Sequence, residues 1–309
     1  MENNTKIRDK IYKAQCIGNV EPIEFMIPYP SMRSLIEGQN IKYAEQVIIE
    51  NPSITNLDFF NYIQRTANWL ESLGAEPKRS IFIPELHYPQ SEILLYGTWQ
   101  LGAVAVLPSK KNLTEIKKYF KNPMLIDNNI NLFNEIKSFP KKYNPLHKPN
   151  LNEEALITFE TGNGIKLSHY NLLVNANGIQ KALKLDNRKR FYSNLQPNTS
   201  SWAVFQAILP IYSGCIFDKN NPNIIINGEN SSYKLRLDLE NIEKYNKNDF
   251  AICPANTAAL SLGSKPIHLT EFFIEKKTIK IKGHSVMMGY LENTLNDLHF
   301  KKDGLYIKY

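Results

Sequence analysis

A chain of 309 residues, 42% hydrophobic and 11% aromatic, is long enough for one large domain or two smaller ones and excludes wholesale disorder. Its net charge of +7 comes from 37 Lys and Arg, of which only seven are arginine: Arg8, Arg33, Arg65, Arg79, Arg188, Arg190 and Arg236. The lysines are spread along the chain, so the charge reads as an ordinary surface and gives no reason to expect nucleic acid as a partner. Taken in chain order, MENNTKIRDKIYKAQ carries charge but no apolar signal-peptide core. The stretch ITNLDFFNYIQRTANWLESLG spaces Phe59, Phe60, Ile63, Ala67 and Leu70 as one helix face, with Thr55 or Asn56 as N-cap and Gly74 as the stop. SIFIPEL reads as a buried strand. YPQSEILLYGTWQLG reads as a second helix, with Pro89 near its first turn and Gly102 at its end. AVAVLP and NPMLID are apolar strands. Short apolar strands between amphipathic helices indicate parallel βαβ units.

From Asn128 to Asn152 the chain is polar, with Pro140, Pro145 and Pro149, and reads as a loop or linker. Strand, loop and helix resume at Ala155. QPNTSSWAVFQAILPIYSGCIF reads as loop, helix, turn and strand, and Asp218 to Ser232 as loop around a short IIIN strand. LDLENIEKYNKNDFAICPANTAALSLG reads as helix, strand and a Pro-Ala helical start; from Lys265 the pattern becomes shorter β segments. Cys16, Cys215 and Cys253 are odd in number and far apart, without C-x-x-C spacing. That argues against a disulfide framework or a structural zinc site and for a reducing compartment. No run approaches the roughly 18 apolar residues of a membrane span. The expectation is a cytoplasmic chain with no membrane span.

The stretch ALITFETGNGIKLSHYNLL, Ala155 to Leu173, carries the candidate site. A strand, a loop with Gly162 and Gly164, and a helix capped by Ser168 form a geometry that can hold phosphate on backbone N–H groups. Equally, the two glycines can serve a tight turn between strand and helix. A dinucleotide fingerprint is not met, because Leu167 stands where the third glycine belongs. His169 reads as a packing or capping residue.

Five stretches in order resemble the large N-terminal domain of the acyl-adenylate-forming enzymes: acyl-CoA and acyl-ACP synthetases, luciferases and adenylation domains. They are LDFFNYIQRTANWLESLGAEPKRSIFIPELHYPQSEILLYGTWQLGAVAVLP, LSHYNLL, LQPNTSSWAVFQAILPIYSGCIF, LENIEKYNKNDFAICPANTAAL and IKIKGHSVMMGYLEN. The resemblance runs from about Ser31 to Tyr309. It implies an α/β fold of parallel-sheet βαβ subdomains with a small β-rich C-terminal subdomain, divided near 1–150, 151–264 and 265–309. It also implies a reaction of ATP and a carboxylic acid to acyl-AMP and pyrophosphate, then transfer to a thiol.

Against that family, TFETGNGIKLSH occupies the place of the phosphate loop YTSGTTGxPKG. The resemblance makes Thr158, Glu160, Thr161, Gly162, Asn163, Gly164 and Lys166 the remnant nucleotide site. Glu160 stands where a neutral residue belongs, and the PK dipeptide is missing, with Lys166 as a candidate replacement charge. LQPNTS stands in place of LPLxH, so Asn198 and Thr199 become acyl-pocket candidates. No YGxTE follows CPANTAALSLG, and HLTE, His268 to Glu271, reads as the start of a strand. Asp303 and Gly304 match the start of DGWxxTGD, but the chain ends at Tyr309 before the ribose aspartate and the mobile C-terminal domain with its catalytic lysine. The expectation is a degenerate, catalytically impaired homologue retaining a binding or interaction role, with no catalytic or metal residues assigned. ATP or AMP and Mg enter only if the site survives. The alternatives are an active ligase completed by a partner chain, and an interaction module for a carrier protein or synthetase, with homo-oligomerisation to cover an exposed cleft.

Overall fold

The computed structural model describes residues 2–23, 27–108, 113–186, 188–228 and 230–309. Four sheets and the helices between them make up the fold. The largest has six strands in the order Gly289–Tyr290, Ile165–Ser168, Glu154–Thr158, Val104–Leu107, Ser80–Phe82 and Met124–Leu125. The last four run parallel, and the first two are antiparallel additions at one edge. All four residues of Val104–Leu107 are buried, as a parallel strand covered on both faces requires. One face meets the main core, and the other meets a smaller cluster of Phe82, Val104, Val106, Ile116, Ile157 and Phe159.

The helices Asn56–Ser72 and Gln90–Leu101 form where the apolar spacing predicts. Thr55 caps the first through a reciprocal pair with Asp58, and Gly74 follows it at φ +83°. Gly102, in the left-handed conformation, ends the second. Ser168 caps His169–Leu183 in the same reciprocal way with Asn171.

A second sheet orders Ile224–Ile226, Arg190–Ser193, Ile216–Phe217, Val47–Ile49 and Ile54–Thr55, parallel except at the last pair. Residue 229, in the Asn-rich loop beyond Ile224–Ile226, lies outside the described residues. Val47–Ile49 lies beside Ile216–Phe217, and Val104–Leu107 beside Glu154–Thr158, so residues on both sides of 150 share sheets. The β-rich C-terminal part is an antiparallel sheet of Thr270–Glu275, Thr278–Gly283, Gly304–Lys308 and Phe300–Lys301.

Two local expectations change, and one element is added. The 128–152 segment contains a short helix, Leu132–Ile136, because Leu132 and Ile136, four apart, both reach the core. After Cys253 there is no helical start. The chain turns back into Ala259–Leu262, antiparallel to Asp249–Ile252. Long-range bonds hold this turn: Asn256 Oδ1 accepts from Met287 N at 2.9 Å, and Asn175 bonds both Ala259 O (2.9 Å) and Ala259 N (3.2 Å). Finally, the N-terminal charged stretch is a helix, Glu2–Gln15, anchored where Gln15 Nε2 donates to Val286 O at 2.9 Å.

Candidate functional site

The glycine stretch does not run from strand to helix. Glu154–Thr158 and Ile165–Ser168 pair antiparallel, with Thr158 opposite Ile165 and Ile157 opposite Lys166, so residues 159–164 are the turn of a β-hairpin. Gly162 N donates to Phe159 O at 2.9 Å and closes this turn. The helix starts only at His169, after the strand Ile165–Ser168, so the glycines do not open it. Thr158 is fully buried, while Thr161, Gly162 and Asn163 are exposed at the tip. Gly164 is required by packing: a Cβ there would lie 2.4 Å from Leu291 Cδ1 and 3.0 Å from Phe159 Cε1. Lys166 reaches away from the turn, its Nζ 3.5 Å from Glu154 Oε1. His169 is buried, with Nδ1 accepting from Met32 N at 3.3 Å, and burial pushes its pKa down to about 4.

Glu160 is placed by a different element. The helical run Trp202–Ile208, continued by Leu209–Ser213, begins at its side chain. Glu160 Oε2 accepts from Ser200 N at 3.1 Å and from Ser200 Oγ at 3.3 Å, and Thr199 Oγ1 accepts from Trp202 N at 3.0 Å. Two of the N–H groups at this helix start, those of Ser200 and Trp202, are therefore served by side chains of the chain itself. The Glu160 carboxyl thus occupies the position an anion would take at this helix start, where the helix dipole favours negative charge. Of the two acyl-pocket candidates, Thr199 is engaged in this cap, and Asn198 lines a neighbouring cleft.

Burial raises the Glu160 pKa, and the hydrogen bonds from Ser200 only partly oppose this. A carboxyl whose folded-state pKa lies above its unfolded value holds its proton more tightly in the folded chain. The stability this gives is complete below the unfolded pKa and is lost as pH rises through the folded pKa. Lowering the pH from neutrality toward the unfolded carboxyl value is therefore expected to stabilise the wild type relative to Glu160→Gln in paired denaturant titrations. A difference that stays flat with pH would show that the site does not titrate in this way.

Two clefts lie at the carboxyl ends of the parallel strands, where open α/β sheets ordinarily bind ligands. One, of about 540 Å³, follows Ser80–Phe82, Val104–Leu107 and Met124–Leu125 and is walled by Phe82, Ile83, Pro108, Leu125 and Asn198. The other, of about 310 Å³, opens beyond Arg190–Ser193 and Ile216–Phe217 and includes Tyr88, Glu92, Gln206 and Phe217. Glu85 and Pro197 line both. The second cleft does not follow from the motifs. Its one sequence signal is Glu92, the single charge in an otherwise apolar or neutral helix.

No family model and no curated protein matches the sequence. Solved structures do match. An anthranilate CoA ligase, AuaEII, in complex with anthranoyl-AMP, aligns at TM-score 0.73 and 12% identity over 91% of this chain and 74% of its own. McyG A-PCP complexed with phenylalanyl-adenylate aligns at 0.73 and 15% over 91% and 73%. The Klebsiella oxytoca NpsA N-terminal subdomain in complex with anthranilyl-AMSN aligns at 0.71 and 13%, over 91% of this chain and 94% of its own. At these TM-scores over some nine-tenths of its length, this chain has the fold of the adenylate-forming ligases.

Proposed function

We propose that this chain is a degenerate relative of the ATP-dependent carboxylate-activating ligases that keeps a ligand-binding or partner-binding role and does not adenylate. The observation that carries this reading is Glu160 at the helix start. At 4 Å and an effective dielectric near 20, like unit charges repel by about 4 kcal/mol. An ionised Glu160 would therefore oppose a triphosphate lying against this turn. The remaining residues fit a triphosphate no better. Gly164 is filled by packing against Leu291, Thr158 is buried, and Lys166 is engaged with Glu154. Adenylation depends on positioned positive charge and donors at the α-phosphate, usually the largest single catalytic contribution. A retained binding role draws support from the NpsA N-terminal subdomain, described with anthranilyl-AMSN bound, and a carrier protein as partner from the McyG A-PCP structure.

ATP–pyrophosphate exchange across fatty and aromatic acids is expected to stay at the protein-free background. Exchange that needs the protein and disappears in Lys166→Ala would overturn the reading.

A further inference from the structure

A third cleft, of about 390 Å³, shares no residue with the two at the carboxyl ends of the parallel strands. Arg33, Phe60 and Pro145 line it half-buried, and Lys142 and Lys148 line it exposed. The Arg33 side chain is only 13% exposed. Its Nη2 donates to Glu37 Oε1 at 2.6 Å and its Nε is enclosed, but its Nη1 has no acceptor among the described residues and stays open to solvent. Neither Lys142 nor Lys148 has an ion-pair partner among the described residues. The lining thus carries three cations against one carboxylate, Glu37, which Arg33 already holds.

Exposed lysines on a loose loop would be ordinary surface charge, but these two leave anchored backbone. Asn68 Nδ2 lies 3.0 Å from Pro140 O and 3.1 Å from Lys142 O. Gln64 Oε1 accepts from Tyr143 N, and Tyr143 Oη donates to Glu71 Oε1, each at 3.0 Å. Next to Lys148, His147 Nε2 and Glu153 Oε2 are 2.7 Å apart, and His147 O packs so close that a Cβ on Gly102 would lie 3.0 Å from it. A cleft lined by one sign of charge concentrates the opposite ion, and charges held in place beforehand bind it at lower entropic cost. An arginine fork with lysines beside it matches the oxygens of a phosphate group. Phe60 and Pro145 add apolar wall for the carbon part of a ligand.

We infer that this cleft binds a small phosphomonoester, its phosphate against Arg33 Nη1, Lys142 and Lys148 and its carbon part against Phe60 and Pro145. The site is separate from the glycine turn, and the inference does not depend on whether the chain adenylates.

Calorimetric titration of the whole chain with phenyl phosphate tests this at about pH 8, where a phosphomonoester carries about two negative charges. Inorganic phosphate and phenol serve as counterparts lacking the ring and the charge. Saturable one-to-one binding of phenyl phosphate is expected, with inorganic phosphate about threefold weaker or worse and phenol about tenfold weaker or worse. Arg33→Gln removes the half-buried charge and should weaken phenyl phosphate about tenfold or more. The double variant Lys142→Ala, Lys148→Ala changes only exposed side chains and should also weaken it about tenfold. If Arg33→Gln does not fold, the lysine variant and the wild-type ranking of the three ligands still decide. The inference fails if wild type shows no saturable binding of phenyl phosphate, or if phenol or inorganic phosphate binds as tightly. It fails equally if the affinity is unchanged in folded Arg33→Gln or in the lysine variant, since the phosphate would then be held elsewhere.

Discussion

Replacing Trp99 with alanine is expected to lower the unfolding free energy by about 3–5 kcal/mol, the range seen when large buried aromatics are truncated. Trp99 is fully buried in the helix that covers the six-stranded sheet. Its Nε1 donates to Ala155 O at 2.7 Å, where the hairpin register shifts between Glu154 and Leu156. Tyr96 meets the ring edge-on at 5.1 Å. Truncation would remove this packing and the indole donor and open a cavity. Since a domain of this kind is stable by about 5–15 kcal/mol, the variant should lose a large share of its stability. Trp99→Phe keeps most of the volume and loses only the N–H, so its loss should be nearer 1–2 kcal/mol. Urea titrations of the three proteins separate the contributions. A loss under about 1 kcal/mol for Trp99→Ala would mean that the helix–hairpin contact is not a principal support.

Gly283→Ala should be almost as damaging, at about 4 kcal/mol, because backbone strain and a backbone collision add. Gly283 ends Thr278–Gly283 at φ +131°. A Cβ there would lie 2.2 Å from Leu269 O and 2.9 Å from Thr270 Cα. Both are main-chain atoms, at the first residue of the facing hairpin strand and the residue before it, so neither can rotate aside. Gly162→Ala is the matched control. Its φ is +88°, but a Cβ would meet nothing within 4 Å. Only the conformational penalty applies, about 1–2 kcal/mol. Thermal melts should therefore rank wild type, Gly162→Ala and Gly283→Ala in falling order. Equal losses for the two variants would show that the collision at Leu269 is relieved by movement of the hairpin.

The elements that were readable in advance are those whose signals lie close together along the chain. Thr55 (with Asn56 as the alternative), Ser168, Gly74 and Gly102 are caps and stops recognised within a few residues. The all-apolar Val104–Leu107 announced a strand buried on both faces. The α/β class and the order of segments follow from such local signals, because backbone capping and apolar periodicity are local physics.

What escaped the linear pattern depends on partners far away in the chain. Residues 253–258 resemble a helical start, yet they form a turn because Asn175 and Met287 supply bonds there. The glycine stretch resembles a strand-to-helix phosphate loop. Ile165–Ser168 becomes a strand because Glu154–Thr158 lies on one side of it and Gly289–Tyr290 on the other. Glu160 could be flagged as a misplaced charge, but not as the carboxylate seated on Ser200, forty residues on. Glu92 and Gln206 could not be paired at all by inspection of a chain that separates them by 114 residues. A sequence names the groups that carry charge and hydrogen-bonding capacity. Which of them satisfy one another, and which are left over for a ligand, is set by the long-range packing that brings them within 3 Å.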